Sequence, residues 1–538
     1  GDRVINWEKD RAGLKGFPVD IFGVKRFGVE KWQRTFFWPV SDQEFFSLID
    51  RIGDIFYKEI QKGSRTLRDI FLSNFGLIQQ YGMFLHALMV LERLKKAGYE
   101  VLLQDETQYY SEVLTGKPRH QSGRTEIGSI DKAKDRIKQL LKFLLKNRFT
   151  PSNLRKTLTD KSVTVSLGSF VRLKREYCDR NHLLVTHKSS LDFLKWAVPD
   201  SQQGVVEIQG ALKKIVDELE NLLKDLEFKL ESYQKAYLYE MGEATLNPSC
   251  SIYHGLVQNC PKKIDLLLLA EVANPLHKAI CFAIKRKFNT RIVGFEHGNT
   301  FGSQLTRNFS LTELTHCDEY VVASSKSIPN FREAQRAAGL PYGVETRIES
   351  VNTNYYRRLA EKNNALPLPE KIGRVMLIGF PMNQNRYMDF PGHFSLFHLD
   401  LELRLLDFMK QRGFAVAYKA HPDKLEEVKG IFEGVADEIR AEPFEKVYNT
   451  TDAFLFPQTD TSTFGIALCT RKPIVVIEIE GKPWRGNVRE LVSKRCRMVS
   501  AWIDEECRIL FDEQALEKAL NKDIDKPDKE YLEKMMIS

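Results

Sequence analysis

The run Ile264-Asp265-Leu266-Leu267-Leu268-Leu269 limits the fold more than any other stretch of the chain. Its apolar residues are consecutive rather than alternating, which suits a strand covered on both faces. Glu271, Asn274 and Pro275 follow it. Residues from His277 to Phe288 then read as a helix, and Arg291-Ile292-Val293-Gly294-Phe295 is a second apolar run. Strand, helix and strand joined by short loops form a βαβ unit, and its parallel crossover is right-handed. The fold class is therefore α/β. Sheets of this kind hold ligands beyond the carboxyl ends of their strands.

Further strands are expected at Glu319 to Ala323 and at Glu345-Thr346-Arg347-Ile348. Residues 325–371 read as the connection between two halves, with a linker composition from Asn363 to Pro369. Arg374-Val375-Met376-Leu377-Ile378-Gly379 opens a new sheet. Phe414 to Tyr418, Phe454 to Phe456 and Ile474 to Glu478 continue it. A chain of 538 residues exceeds one ordinary domain. Two Rossmann-like domains are predicted, residues 1–345 and 346–538.

Helices fill much of the first half. Ile70 to Lys96 has helical spacing and ends in Lys-Lys-Ala-Gly, before a strand at Tyr99 to Leu103. A basic helix, Gly and strand recur from Met409 to Val416. Ile208, Leu212, Ile215, Leu219, Leu222 and Leu226 form a heptad seam. Its short length predicts a helical hairpin within the chain, an insertion over about residues 205–245. The aromatic-rich opening (Trp7, Trp32, Phe36, Phe37, Trp38) reads as packing surface, and Asp512 to Met536 as a charged helical tail.

The net charge of +8 is spread along the chain, and no nucleic-acid-binding signature appears, so no nucleic-acid partner is expected. Eight cysteines lie far apart without a C-x-x-C pair, which predicts reduced thiols and a cytoplasmic location. No apolar run reaches membrane-spanning length and no secretory signal opens the chain. The start at Gly1 rather than Met fits a piece of a longer polypeptide. Ser129 to Lys156 is basic, with Ile137, Leu140, Leu141, Leu144 and Leu145 on one helical face. This suits either a solvated domain helix or a peripheral contact with an anionic membrane surface.

Two segments carry chemistry in the second half. In Tyr418-Lys419-Ala420-His421-Pro422-Asp423 the proline ends the ladder and leaves His421 at a strand's carboxyl edge. Thr459-Asp460-Thr461-Ser462-Thr463-Phe464-Gly465 follows the next strand and precedes Ile466-Ala467-Leu468. Hydroxyls and free N–H groups at a helix start suit an anion. His421 and the Thr461-Ser462-Thr463 loop can therefore meet over one phosphate, with Lys419 as a nearby cation. Gly379 ends its strand where a ligand can approach closely. Glu478 either accepts from a sugar hydroxyl or is simply solvated. The stretch from Asn383 to His398 is long enough for a functional loop.

The first half offers Glu296-His297-Gly298-Asn299 at another strand end. A histidine beside a carboxylate is a base near neutral pH, with Glu271 one strand over as its second carboxylate. The alternative is a structural histidine bonded to a carbonyl. His187, Ser189 and Ser190 follow a strand from Leu183 to Thr186, where they either line a site or cap the helix beginning at Leu191.

The two C-terminal segments resemble the nucleotide-binding half of GT-B glycosyltransferases. They are most like the "HP"-motif enzymes that transfer CMP-sialic acid and CMP-Kdo in capsule and lipopolysaccharide synthesis. The likeness to CDP-glycerol polymerases of teichoic acids is more distant. Thr461-Ser462-Thr463-Phe464-Gly465-Ile466-Ala467-Leu468, then Arg471-Lys472-Pro473-Ile474-Val475-Val476, carry the resemblance over roughly the last third of the chain. Ile466 departs from it where many such proteins have an acid, and Arg471 where a glycine is common.

The resemblance implies a GT-B fold, two Rossmann-like domains facing a cleft, with a C-terminal helix that returns to the first. It implies donor binding by His421, Lys419, Pro422, Thr461, Ser462, Thr463, Gly465, Gly379 and Glu478. His297, with Glu296 or Glu271, takes the catalytic role. Gly298, Asn299 and His187 belong to the acceptor side. No metal is implied, since Asp460 lies outside any Asp-x-Asp, and no cofactor beyond the nucleotide-sugar donor. The expected reaction moves Kdo or another nonulosonic acid from a CMP-activated donor to a surface glycan, free or lipid-linked. The alternatives are a CDP-polyol phosphotransferase, a non-catalytic nucleotide-sugar-binding protein and an epimerase of the same fold. Inversion and retention, the latter with Glu271 or Glu296 as nucleophile, both stay open.

Overall fold

The computed structural model describes residues 17–100, 108–117, 163–196, 205–270, 272–296, 309–337, 345–382, 392–422, 425–482 and 484–537. Its first sheet is built from β1 (Thr164–Leu167), β2 (Thr186–Lys188), β3 (Leu266–Leu269), β4 (Arg291–Phe295), β5 (Glu319–Val322) and β6 (Arg347–Ser350). Among the described residues the order is β2-β1-β3-β4-β5-β6, with every pair parallel. The helix Pro275–Phe288 connects β3 to β4. Asn274 caps it by accepting from the backbone N–H of His277, Pro275 occupies its first turn, and Asn289 ends it in the left-handed region at φ 55°.

The second sheet holds β7 (Arg374–Ile378), β8 (Ala415–Lys419), β9 (Glu438–Arg440), β10 (Ala453–Phe456), β11 (Ile474–Ile479), β12 (Arg497–Ile503) and β13 (Ile509–Phe511). The order is β13-β12-β11-β10-β7-β8-β9, parallel throughout except for β13. The order reverses between β7 and β10. That switch point is where a doubly wound sheet opens a crevice.

The expected boundary at residue 345 falls too early. Arg347–Ser350 pairs with β5, with Tyr320 opposite Ile348, so the first sheet runs past it. The chain then passes to β7 through the helix Tyr355–Asn364. Asn363, expected in a linker, is buried: it donates to the Cys469 carbonyl (3.2 Å) and accepts from Tyr448 Oη (3.0 Å).

The heptad seam forms the helix Val205–Asp225, whose Ile208, Leu212, Ile215, Leu219 and Leu222 are buried. It packs on the following helix, Ser232–Asn259, as a hairpin within the chain. The single helix expected over 70–96 is two, Arg65–Ser73 and Leu77–Lys96. Between them the Asn74 amide takes the Ile70 carbonyl at 2.8 Å and accepts from Ser249 Oγ at 3.2 Å, which stops the first helix. Of the strand expected from Tyr99 to Leu103, residues 101–103 lie outside the described residues, and Tyr99 and Glu100 are not in a strand. The basic segment 129–156 also lies outside them.

The aromatic opening is packing surface, but not of the first unit alone. Trp38 packs on Phe394 with the rings tilted by 53° (centroids 5.2 Å apart), and Phe36 meets Phe397 edge-on. Trp38 donates its backbone N–H to the Glu506 carbonyl at 2.8 Å, and Gly392 donates to Asp42 Oδ1 at 3.0 Å. Residues assigned from sequence to the first domain are thus seated against the second, because its helix Ser395–Gln411 offers the apolar face that covers them. The tail does return to the first unit. Lys326 Nζ donates to the Glu533 carbonyl, and Tyr531, Leu532, Met535 and Met536 share an apolar cluster with Ala323.

Candidate functional site

Around the switch point of the second sheet, three carboxyl ends carry polar side chains. β8 ends in Lys419, Ala420 and His421. His421 is half-buried and Pro422 exposed. Lys419 is buried and turns back on its own backbone, donating to the Ala420 carbonyl at 2.7 Å, and burial holds its amine below the usual lysine range. It is a poorer phosphate cation than its place in the sequence suggests.

β10 runs into Pro457, Gln458, Thr459 and Asp460, and then into the helix Ser462–Leu468. Thr461 caps that helix by accepting from the Thr463 N–H at 3.2 Å. Ser462 is exposed and Thr463 half-buried, so the hydroxyl loop is open at one side. Gly465 lies inside the helix, buried, not in the loop. Gln458 is only 4% exposed, and its Oε1 has no hydrogen-bond partner among the described residues.

Glu478, one residue before the end of β11, is half-buried and not free. Arg489 grips it with two parallel bonds (Nε to Oε1 2.7 Å, Nη2 to Oε2 2.8 Å), and Trp484 Nε1 donates at 2.8 Å. Lys482 follows, partly covered, with its amine over the Trp484 ring at 5.6 Å. Burial pushes its pKa down to about 8, against the pull of Asp460 and Glu478. Sequence reasoning missed Lys482, Arg489, Trp484 and Gln458. A lysine after a strand reads as solvated until the fold covers it.

Gly379 does not open the sheet to a ligand. A Cβ there meets Tyr418 Oη at 2.4 Å and the Lys419 carbonyl at 3.1 Å. The missing side chain makes room for Tyr418, which donates to Glu402 Oε2 at 2.9 Å.

In the first unit, Glu296 directly follows β4. Its Oε2 accepts from the Ala323 N–H at 2.9 Å, so one oxygen is spent on the neighbouring strand end. Its charge also reaches Tyr356 and Tyr531, whose hydroxyls are held well above the usual tyrosine range, mainly by burial. His297, Gly298, Asn299 and Glu271 lie outside the described residues. His187 lies within β2, opposite Ser166 of β1, and not in the loop after it. β1 and β3 separate it from β4, a distance of about 14 Å at ordinary strand spacing, so it does not join Glu296.

The two units touch around these ends. Arg485, after β11, pairs with Glu333 of the first unit at 3.3 Å, and Arg172 lies 3.2 Å over the ring of Tyr355. Among the described residues no group of His, Cys, Asp and Glu is placed to hold a metal ion, and no helix is long and apolar enough to cross a membrane.

The chain matches no protein-family model and no curated protein. Among solved structures it is similar to a UDP-GlcNAc 2-epimerase from Methanocaldococcus jannaschii, with 11% identity and a TM-score of 0.34 over 68% of this chain and 94% of that one. It is also similar to Arabidopsis thaliana UGT89C1, with 12% identity and a TM-score of 0.29 over 66% of this chain and 82% of that one. At those values the likeness says nothing about chemistry. Two Rossmann-type sheets, parallel except for β13, joined by the helix Tyr355–Asn364 and by a tail that packs back on the first unit, make the fold α/β with two Rossmann-like units.

Proposed function

We propose that the protein is a glycosyltransferase whose nucleotide-sugar donor sits in the crevice between β7 and β10. The observation that carries the reading is the place of Thr461-Ser462-Thr463. The segment that resembles HP-motif transferases falls at the carboxyl end of β10, beside the switch point. His421 lies at the end of β8, across β7, about 10 Å away at ordinary strand spacing. Two side chains bridge such a gap with one phosphate between them. Lys482 supplies a cation on the other flank.

The donor in this reading is a CMP-activated nonulosonic acid such as Kdo, which has a single phosphate. The acceptor hydroxyl enters from the first unit, where the Glu296-His297 strand end provides the base. The acceptor oxygen bonds to the anomeric carbon as that carbon's bond to the phosphate oxygen breaks, CMP leaves with the electron pair, and the base takes the hydroxyl proton. His421, Thr461 and Lys482 stabilise charge on the departing phosphate. The acceptor is a surface glycan or its lipid-linked precursor, in the cytoplasm, with segment 129–156 as the contact to an anionic membrane surface.

A thermal-shift panel with CMP, CDP, UDP, GDP and ADP, on wild type and His421→Ala, tests the assignment. A ligand that binds only the native state raises apparent stability. Stabilisation by CMP, lost in the variant, is the expected result. A shift with UDP or GDP overturns the donor, and no shift with any nucleotide overturns the transferase reading.

A further inference from the structure

A second cavity, of about 400 Å³, lies away from the carboxyl-end crevice, below the helix Ser462–Leu468 and at the amino edge of β11. That volume is within the range of small-molecule sites. Its walls come from the helix Tyr355–Asn364, which carries the chain into the second sheet, and from the tail after Pro527, which carries it back. On the helix, Arg357, Glu361 and Asn364 are spaced at i, i+4 and i+7, so one face lines the cavity.

Arg495 lines it too and is only 7% exposed. Its Nη2 donates to the carbonyls of Thr470 (2.8 Å) and Lys472 (3.1 Å), while its Nε is buried with no acceptor among the described residues. Asp528 lies within Coulombic range without bonding to it. A guanidinium cannot shed its proton, so a covered one with bonds unmade favours an anion beside it. Lys529 and Arg357 add positive charge at the mouth, Asp528 and Glu533 oppose it there, and Glu361 and Asn364 offer acceptors for hydroxyls.

We infer that this cavity binds a small polyol bearing an oxyanion, a sugar phosphate or a sugar acid, and so ties the two interdomain crossings together. The oxyanion meets Arg495, Arg357 and Lys529 in charge-assisted bonds, and the hydroxyls meet Glu361 and Asn364. The site stands whatever the donor in the other crevice turns out to be.

Hydrogen-exchange mass spectrometry on the full chain tests it, with glucose 6-phosphate and gluconate at millimolar concentration as the phosphate and carboxylate probes. Sodium sulfate at matched ionic strength is the control. The expected result is slowed exchange in both 355–364 and 527–537. The doubly substituted Arg357→Ala, Lys529→Ala protein, altered only at exposed positions, should bind at least about tenfold more weakly. Unchanged exchange with both probes overturns the site. So does protection that survives undiminished in the double variant. Equal protection by sulfate overturns the polyol class.

Discussion

Tyr418 lies beneath Gly379 and donates its hydroxyl to Glu402 Oε2 at 2.9 Å. Phe380 N–H takes the other oxygen at 2.5 Å, and no water reaches the carboxyl, which burial pushes up to about 8. In the unfolded chain the same group ionises near 4.3, at about its ordinary value. The fold therefore holds an extra proton between about pH 4.3 and about pH 8, and its stability falls as pH rises through that window. Glu402→Gln removes the titration. Its melting temperature should fall less than that of wild type between about pH 5 and about pH 8, and parallel curves would show that Glu402 is not the group responsible.

Gly379→Ala places a Cβ 2.4 Å from Tyr418 Oη and 2.6 Å from Cζ. The ring must move and the Glu402 bond must break, which costs about 1–3 kcal/mol in a filled core. Urea unfolding should show that loss. Tyr418→Phe should not rescue it, because the ring carbon is itself too close.

Tyr531 is fully buried, and its hydroxyl has no partner among the described residues. Tyr531→Phe removes an unsatisfied polar group and should be neutral or stabilising by up to about 1 kcal/mol. Tyr531→Ala empties the same space and should cost about 3–5 kcal/mol. If both variants lose stability equally in urea midpoints, the hydroxyl is bonded after all.

Lys482 titrates near 8 in the folded protein, so its charge is present below that pH and fades above it. Nucleotide affinity should weaken above about pH 8 in wild type. In Lys482→Met it should be about tenfold lower at neutral pH, the loss of one charge-assisted contact, and nearly flat with pH. The stability term has the opposite sign, growing as pH rises from about 8 toward the ordinary lysine value. Calorimetric titration with CMP across this range separates the two, and an unchanged affinity in the variant would remove Lys482 from the site.

β3, β4, β7, β8, β10 and β11 were legible because each is a run of adjacent apolar residues covered on both faces. β1 was not, because Thr164 and Ser166 interrupt it. Those polar groups are tolerated because Ser166 Oγ accepts from the buried Lys174 at 3.0 Å, a partner the spacing does not reveal. β9 and β13 have three residues each, too few for a period. At the site, Pro422 and the Thr461 cap punctuate the chain locally, so their strand-end places could be read in advance. Glu478 could not, because Arg489 and Trp484 reach it only after the chain has turned. Gly379 was assigned to a ligand when a tyrosine thirty-nine positions on occupies the space.

The seam of Trp38, Phe36, Phe394 and Phe397 bears on how any substrate gets in and out. Each such ring buries roughly 150–250 Å², so prising the seam apart costs on the order of 10 kcal/mol, as much as many whole domains are stable by. Thermal motion does not open the molecule along that edge. A donor bound as proposed would therefore enter and leave at the rim of the crevice, not through a swing of the two units.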